Sequence, residues 1–432
     1  MHSLGLGKST DWHIEDQGEL TDLLTTHPYP RFTPHCNMDR LNEIRNLFHA
    51  TAESRLYSDV SGKPCIGEEV GTLGPMFASD AITADYARNV SFNLWAHDCQ
   101  GLLWWCGYDQ DHLEQAPYDW NSYERELGLI RNNRDAKPVI KALGAFAKMA
   151  NSMPFGDLPQ RLTDAVVILS EGQDHWGNAY SAFILAKQAG MDIEFQHAGQ
   201  QIKDSAIYIL PGLNGGSSLN RCQWVVLLEK IKQGASLLIT ADNDIKISWF
   251  KEITGLEIQT AEARSEGSVQ CSFEDHTFTI PSGHKYNMQS IGAEILAHES
   301  DGNPVFTKNS YGKGQVYFLS APIEIVSAQL KGITVGEQAQ QYDCFYRRVF
   351  TDVYEKPRRA VTTTERSVTT TEHPSKDDEL IIVLVNNSPR EVTCELSIEA
   401  GYEVSAVLYG SLEGTTAHLS NNDGLILTLK QM

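Results

Sequence analysis

Apolar residues between positions 41 and 59 recur at helical spacing, and the run stops at Ser61-Gly62-Lys63-Pro64, which has turn chemistry. The next residues, Cys65-Ile66-Gly67, predict a short strand that ends in an acidic pair, Glu68-Glu69. The same order returns further on. Residues 81–97 predict a helix, 101–106 (Gly-Leu-Leu-Trp-Trp-Cys) a strand, 107–120 a loop, and 121–131 and 137–149 two more helices. Upstream, residues 22–30 predict another strand, which ends in His27-Pro28-Tyr29-Pro30. Strands alternating with helices favour a parallel sheet or barrel, in which functional groups collect at the C-terminal ends of strands.

From Arg161 the pattern changes to fully apolar strands alternating with helical stretches. Residues 165–170, 192–197, 206–210 and 236–241 predict buried strands of an open, doubly wound α/β sheet, and 219–234 predict a helix closed by Gly234. Beyond residue 359 a near-duplication, Val361-Thr-Thr-Thr-Glu365 and Val368-Thr-Thr-Thr-Glu372, favours extended structure. Short strands then follow over 380–385, 392–398, 403–408 and 424–429, the spacing of a small all-β sandwich. A chain of 432 residues accommodates this division into 1–155, 161–356 and 359–432.

Composition narrows the partners. The formal charge of -21 repels phosphate backbones and anionic lipid, which argues against nucleic acid and membrane surfaces and leaves a neutral ligand such as a sugar open. The longest apolar runs are strand-sized, too short to span a bilayer. The first residues lack a secretory pattern, so a cytoplasmic setting is expected. Eight scattered cysteines form no C-x-x-C pair and predict reduced, structural thiols, with no zinc site. Gly5-Leu6-Gly7-Lys8-Ser9-Thr10 resembles the end of a phosphate-binding loop, but His2 stands where that motif needs glycine. No cofactor or metal is expected.

The acids at positions 68 and 69 carry the candidate chemistry. Adjacent strand residues point to opposite faces, so only one of the two is expected to face a barrel interior. An acid, a His27/Tyr29 pair and an aromatic platform at Trp104-Trp105 would meet on one rim. Pyranose chemistry uses such a set: a carboxylate to trap or stabilise an oxocarbenium ion, and a flat aromatic face against the sugar.

These residues resemble the C-terminal half of the (β/α)₈ barrel of clan A glycoside hydrolases, the group that includes family 5 cellulases and mannanases, family 39 and family 42 β-galactosidases. His27-Pro28-Tyr29-Pro30 resembles the end of that barrel's sixth strand. Lys63-Pro64-Cys65-Ile66-Gly67-Glu68-Glu69-Val70-Gly71 resembles the seventh, where the Glu two before the glycine is the nucleophile, and Trp104 or Trp105 resembles the sugar-binding Trp of the eighth. Glu126-Leu127-Gly128-Leu129 and Lys137-Pro138 fit the following segment. The resemblance implies Glu69 as nucleophile, Glu68 as the fallback, and His27, Tyr29, Trp104 and Trp105 as substrate-binding residues.

Residues 161–356 resemble the glutamine-amidotransferase-like (flavodoxin-like) trimerisation domain of family 42 enzymes. Pro211-Gly212-Leu213-Asn214 stands where an active amidotransferase would place its cysteine, and Cys222 reads as a packed core thiol. The resemblance therefore implies a retaining β-galactosidase-, β-mannosidase- or β-glucosidase-like hydrolase acting on an oligosaccharide or glycoside, assembled as a homo-oligomer, a trimer by family analogy. One departure stands out. A complete barrel takes about 250 residues, yet Glu69 has only 68 residues before it. Strands one to four, and the Asn-Glu acid/base of strand four, find no counterpart, since Asn42-Glu43 falls in a predicted helix. The expectation is a truncated frame, a fragment, or half of a split enzyme. The alternative is a non-catalytic carbohydrate-binding or oligomerisation protein derived from one.

Overall fold

The computed structural model describes residues 14–33, 35–170, 173–215, 219–334, 336, 339–354, 358–375 and 379–432. The glycine-lysine segment at 5–10 lies outside them. Two compact units are present: Trp12–Leu162 together with Pro357–Met432, and Thr163–Lys356.

In the first unit, helix α1 (Ile14–Leu20) precedes strand β1 (Leu24–Thr26). The predicted 41–59 helix is two pieces, α2 (Ile44–Leu47) and α3 (His49–Ser61), separated at Phe48. Gly62 closes α3 in the left-handed conformation (φ 67°), which only glycine adopts at little cost. Strand β2 (Cys65–Val70) continues through both acids. Ser79 caps α4 (Asp80–Ala96) by accepting from the Ile82 amide, and β3 (Gly101–Trp104) and α5 (Pro138–Asn151) follow. The three strands form a parallel sheet in the order β1-β2-β3, so their C-terminal ends lie on one side, as in part of a (β/α)₈ barrel.

The predicted helix over 121–131 is corrected to one short 3-10 turn, Ser122–Glu124. The remainder runs extended against the segment after β3: Cys106 N–H donates to Leu127 O at 3.2 Å, and Leu129 N–H to Cys106 O at 2.9 Å. Gly128 permits this approach, because a Cβ there would sit 2.2 Å from the Asp109 nitrogen.

The strands beyond residue 360 form a four-stranded sheet ordered Val368–Pro374, Glu379–Asn386, Gly424–Gln431, Tyr402–Tyr409 and a three-stranded sheet ordered Val392–Glu395, Thr416–Leu419, Ser411–Glu413. One face of the larger sheet packs on the helices of the barrel segment. Phe92, Ala96, Met149 and Met153 from α4 and α5 share a core with Ile381, Val383, Val385 and Ile426. A buried amide ladder fixes that seam: Asn93 Nδ2 donates to Asn387 Oδ1 at 2.9 Å, and Asn89 Nδ2 to Asn386 O at 3.0 Å.

The second unit is doubly wound. β4 (Ala165–Leu169), α6 (His175–Gln188), β5 (Ile193–His197), β6 (Ile207–Gly215), α7 (Arg221–Gln233) and β7 (Ser236–Ile245) alternate, and α7 carries a capping box on Asn220 and ends at Gly234. After α8 (Phe250–Thr254), β8 (Leu256–Ala263) pairs with β11 (His284–Ser290), and β9 (Ser268–Phe273) with β10 (His276–Pro281). β12 (Glu294–His298), β13 (Pro304–Tyr311) and β14 (Gly314–Leu319) then complete a seven-stranded sheet, β12-β13-β14-β7-β6-β4-β5, followed by α9 (Ile323–Gln329) and α10 (Asp343–Val353). Cys222 is exposed at the start of α7, where its thiol donates to Asn220 Oδ1, so the expectation of a packed core thiol is corrected.

Candidate active site

The acidic pair does not obey simple strand alternation. Between Gly67 and Val70 the register of β2 against β3 shifts, a β-bulge, and a bulge re-aims the side chains around it. Both acids therefore reach the same histidine. Glu68 Oε2 lies 3.3 Å from His27 Nε2, and Glu69 Oε2 lies 3.2 Å from His27 Nδ1. Only Glu69 lines the cavity, as expected of one of two adjacent strand residues, yet Glu68 also reaches His27. The two differ in setting: the Glu68 side chain is 46% exposed and that of Glu69 28%.

Tyr29 adds a third contact, its hydroxyl donating to Glu69 Oε2 at 3.4 Å. Burial and the nearby carboxylates of Glu69 and Glu124 hold the Tyr29 phenol well above its usual range, so it stays a donor. The segment bearing His27 and Tyr29 rests on α3, where His49 Nδ1 lies 3.3 Å from Pro28 O. Burial pushes His49 down to about 3, which keeps that ring neutral. Gly71, two residues after Glu69, has its own physical reason: a Cβ there would lie 3.2 Å from both the Trp105 carbonyl oxygen and the Tyr29 ring.

His27, Tyr29, Glu69 and Trp105 line one open cavity of ≈ 360 Å³. Among the predicted residues, Trp104 is not there. It faces the other side of β3 and packs with Leu47, Val70, Tyr86 and Leu94, against the helices, because consecutive strand residues alternate faces. The substrate-binding expectation for Trp104 is corrected accordingly. The cavity also contains Tyr118, Asn121 and Glu124, which the sequence reading missed. Glu124 accepts from the Trp105 indole N–H at 3.2 Å, fixing the ring. Reading 121–131 as helix hid Asn121 and Glu124, and Tyr118 stood in the predicted 107–120 loop without being singled out; the dense Pro, Tyr, Trp and Asn composition just before Glu124 was the available signal of a functional loop.

Among the described residues no group of three or more His, Cys, Asp or Glu side chains is placed to hold a metal ion, and no helix is long and apolar enough to cross a membrane. The charge arrangement is that of carboxylate chemistry. Glu69 Oε2 is tied by Tyr29 and His27, while Oε1 has no hydrogen-bond partner among the described residues.

No protein-family model and no curated protein matches the sequence. Solved structures do. A β-galactosidase from Rahnella sp. R3 superposes with a TM-score of 0.71 at 15% identity, covering 98% of this chain and 62% of that one. A GH42 β-galactosidase from G. stearothermophilus gives 0.68 at 12% identity, covering 99% and 63%. An exo-β-1,4-mannosidase from Opitutaceae bacterium strain TAV5 gives 0.58 at 19% identity, covering 71% and 56%. The chain spans less than two thirds of the length of each. Over that span, it has the fold of the GH42 β-galactosidases.

Proposed function

We propose that the chain carries the nucleophile of a retaining β-glycosidase acting on oligosaccharides or glycosides, with Glu69 as the attacking group. The observation that carries this reading is the state of Glu69, one oxygen held by Tyr29 and His27 and the other unpartnered beside the cavity. Glu69 Oε1 attacks the anomeric carbon, the bond from that carbon to the leaving oxygen breaks, and the leaving oxygen takes a proton from a general acid. Water, deprotonated by the same group, then cleaves the glycosyl ester and releases Glu69. Trp105 offers its indole face to the sugar, and Glu124, which orients that ring, is an acceptor for a sugar hydroxyl. Glu68 is outside the cavity lining, which favours Glu69 over it.

The general acid is not among the residues assigned here; the matched structures include a part that this chain does not span. β-Galactosides and β-mannosides follow from the neighbours, and β-glucosides from the barrel motifs. The unit 163–356 is the proposed homo-oligomer contact, as a trimer, and the cytoplasm the proposed location.

A mechanism-based probe tests this on the chain as it stands. A 2-deoxy-2-fluoro-β-glycoside with a dinitrophenolate leaving group needs no general acid for departure. Incubation with the galacto, manno and gluco forms should add one glycosyl unit, mapped by mass spectrometry to Glu69. Saturable sugar binding without labelling by any of the three would replace this reading with the non-catalytic carbohydrate-binding one.

A further inference from the structure

Tyr29 and Leu73 line two cavities. One is the site of Glu69 and Trp105; the other, open and of ≈ 150 Å³, has Arg31, Asn46 and Phe77 in its wall. Aromatic rings lead from the first to the second. Tyr29 meets Phe32 edge-on with centroids 6.1 Å apart, Phe32 meets Tyr123 edge-on at 6.1 Å, and Tyr123 lies parallel to Phe77 at 6.5 Å. Phe32 belongs to the first cavity and Phe77 to the second. Phe32 is 41% exposed and Tyr123 47%. Single exposed rings are ordinary, but a connected run of them between two cavities marks a surface shaped for a ligand with flat apolar faces.

The second cavity also carries polar groups of both kinds. The Arg31 guanidinium lies 4.7 Å over the Phe77 ring and supplies donors. Asn46 on α2 is 2% exposed, and its Nδ2 donates to Asp39 O at 3.0 Å and Arg40 O at 2.9 Å. A carbonyl oxygen only accepts, so these two contacts fix which end of the amide is nitrogen. Oδ1 is then a buried acceptor with no hydrogen-bond partner among the described residues. An acceptor in that state is costly until a donor reaches it.

Resting on the glycosidase reading above, we propose that the second cavity takes a further sugar unit of the same substrate, which makes that substrate a neutral β-linked oligosaccharide and not a simple glycoside. A pyranose presents apolar C–H faces to Tyr123 and Phe77. Its hydroxyls both donate and accept, so one unit can serve Asn46 Oδ1 and Arg31 together. A neutral ligand also suits the formal charge of -21.

Isothermal titration of the 432-residue chain tests this with galactose, mannose and glucose and with the β-1,4-linked di-, tri- and tetrasaccharides of each. In at least one series affinity should rise about tenfold or more from the monosaccharide to the longer chains. Tyr123→Ala, at a half-exposed ring, leaves the fold intact. It should abolish most of that gain and change monosaccharide affinity less than about twofold. Asn46→Ala should act in the same direction; because Asn46 also holds two backbone carbonyls, its folding is checked by thermal unfolding, and the Tyr123 variant decides the matter if it fails to fold. Affinity that does not grow with length in any series, or a gain that survives Tyr123→Ala, would overturn the proposal. Length-dependent binding in a chain that no fluoroglycoside labels would keep the second cavity as a sugar site and remove the glycosidase reading. Labelling of Glu69 with length-independent binding would do the reverse.

Discussion

Two carboxylates follow parallel strands in this chain, and the surroundings of the one proposed as nucleophile differ from those of the other. Glu69 stands at the end of β2, part exposed, with one oxygen held and the other open. Glu324 begins α9, just after β14, fully buried, with Oε2 accepting from Thr240 Oγ1 at 2.6 Å and Oε1 from the Tyr346 hydroxyl at 2.7 Å. Described side chains of the same unit crowd the strand ends near it. Gln173 accepts from the Ser170 amide and donates to Pro211 O at 2.7 Å, and a Cβ on Gly212 would lie 2.0 Å from Asn178 Oδ1. Open α/β sheets bind ligands outside the carboxyl ends of strands. Here one set of strand ends opens on a cavity, and at the other Glu324 and Gln173 are bonded to groups of their own unit. A buried acid is a site candidate only when an oxygen is left to spend on something else.

The sharpest break of that contrast is an isosteric exchange at each acid. Glu69→Gln should lower the fluoroglycoside labelling rate by at least about 10³-fold, the scale on which removal of a nucleophile acts, while Glu324→Gln should leave it unchanged. Comparable losses from both would mean that the unit 163–356 takes part in the chemistry and that the division drawn here is misplaced.

Stability should respond in the opposite order. Glu324→Ala removes a fully buried side chain and strands the Thr240 and Tyr346 hydroxyls, so a loss of about 3 kcal/mol is expected in the 163–356 unit. Hydrogen exchange read peptide by peptide would localise it to β7, α9 and α10 and leave the β1-β2-β3 sheet as protected as before. Loss of protection in β2 instead would contradict the assignment of Glu324 as a local structural group.

The tryptophan pair offers a smaller version of the same test within one strand end. Trp105→Ala should weaken binding of a sugar probe about tenfold, the worth of one aromatic platform, with little change in unfolding. Trp104→Ala should do the reverse, since that ring packs with Leu47 and Val70. Equal effects on binding would return Trp104 to the sugar site.

How much of this was legible in the chain follows the same line. Period and turn chemistry located α4 to within a residue or so, α5 and α7 to within two or three, and the buried strands of the second unit, because burial on both faces leaves continuous apolar runs. Resemblance of short motifs supplied Glu69, His27, Tyr29 and Trp105. The contact of Glu68 with His27 was not legible, since the register shift between Gly67 and Val70 is a property of pairing between strands and leaves no mark in one strand's own residues. Helical composition likewise misplaced Glu124, whose segment is set by backbone contact with Cys106 and by the tight approach at Gly128. The seam of Asn89, Asn93 and Asn387 is a contact between residues about 300 positions apart, beyond any local pattern.

The smallest expected effect concerns pH. Burial raises the Glu324 carboxyl above its ordinary value, with the Thr240 and Tyr346 hydrogen bonds opposing. A carboxyl raised in the folded state binds its proton more tightly there than in the unfolded chain. Its contribution is thus fully present below the unfolded value of about 4.3 and is lost as pH rises through the folded one. Asp301, held below its usual range by Lys285, has the opposite sign: its contribution is present above the unfolded value and lost as pH falls. The whole-protein profile mixes the two, so the difference between the parent chain and Glu324→Gln isolates the buried acid. As pH rises above the unfolded value, the protection of α9 and α10 should decline in the parent and stay flatter in the glutamine variant, which has no proton to lose. Parallel slopes would mean that Glu324 carries the same charge in both states, and the satisfied acid would then have to be ionised inside its core.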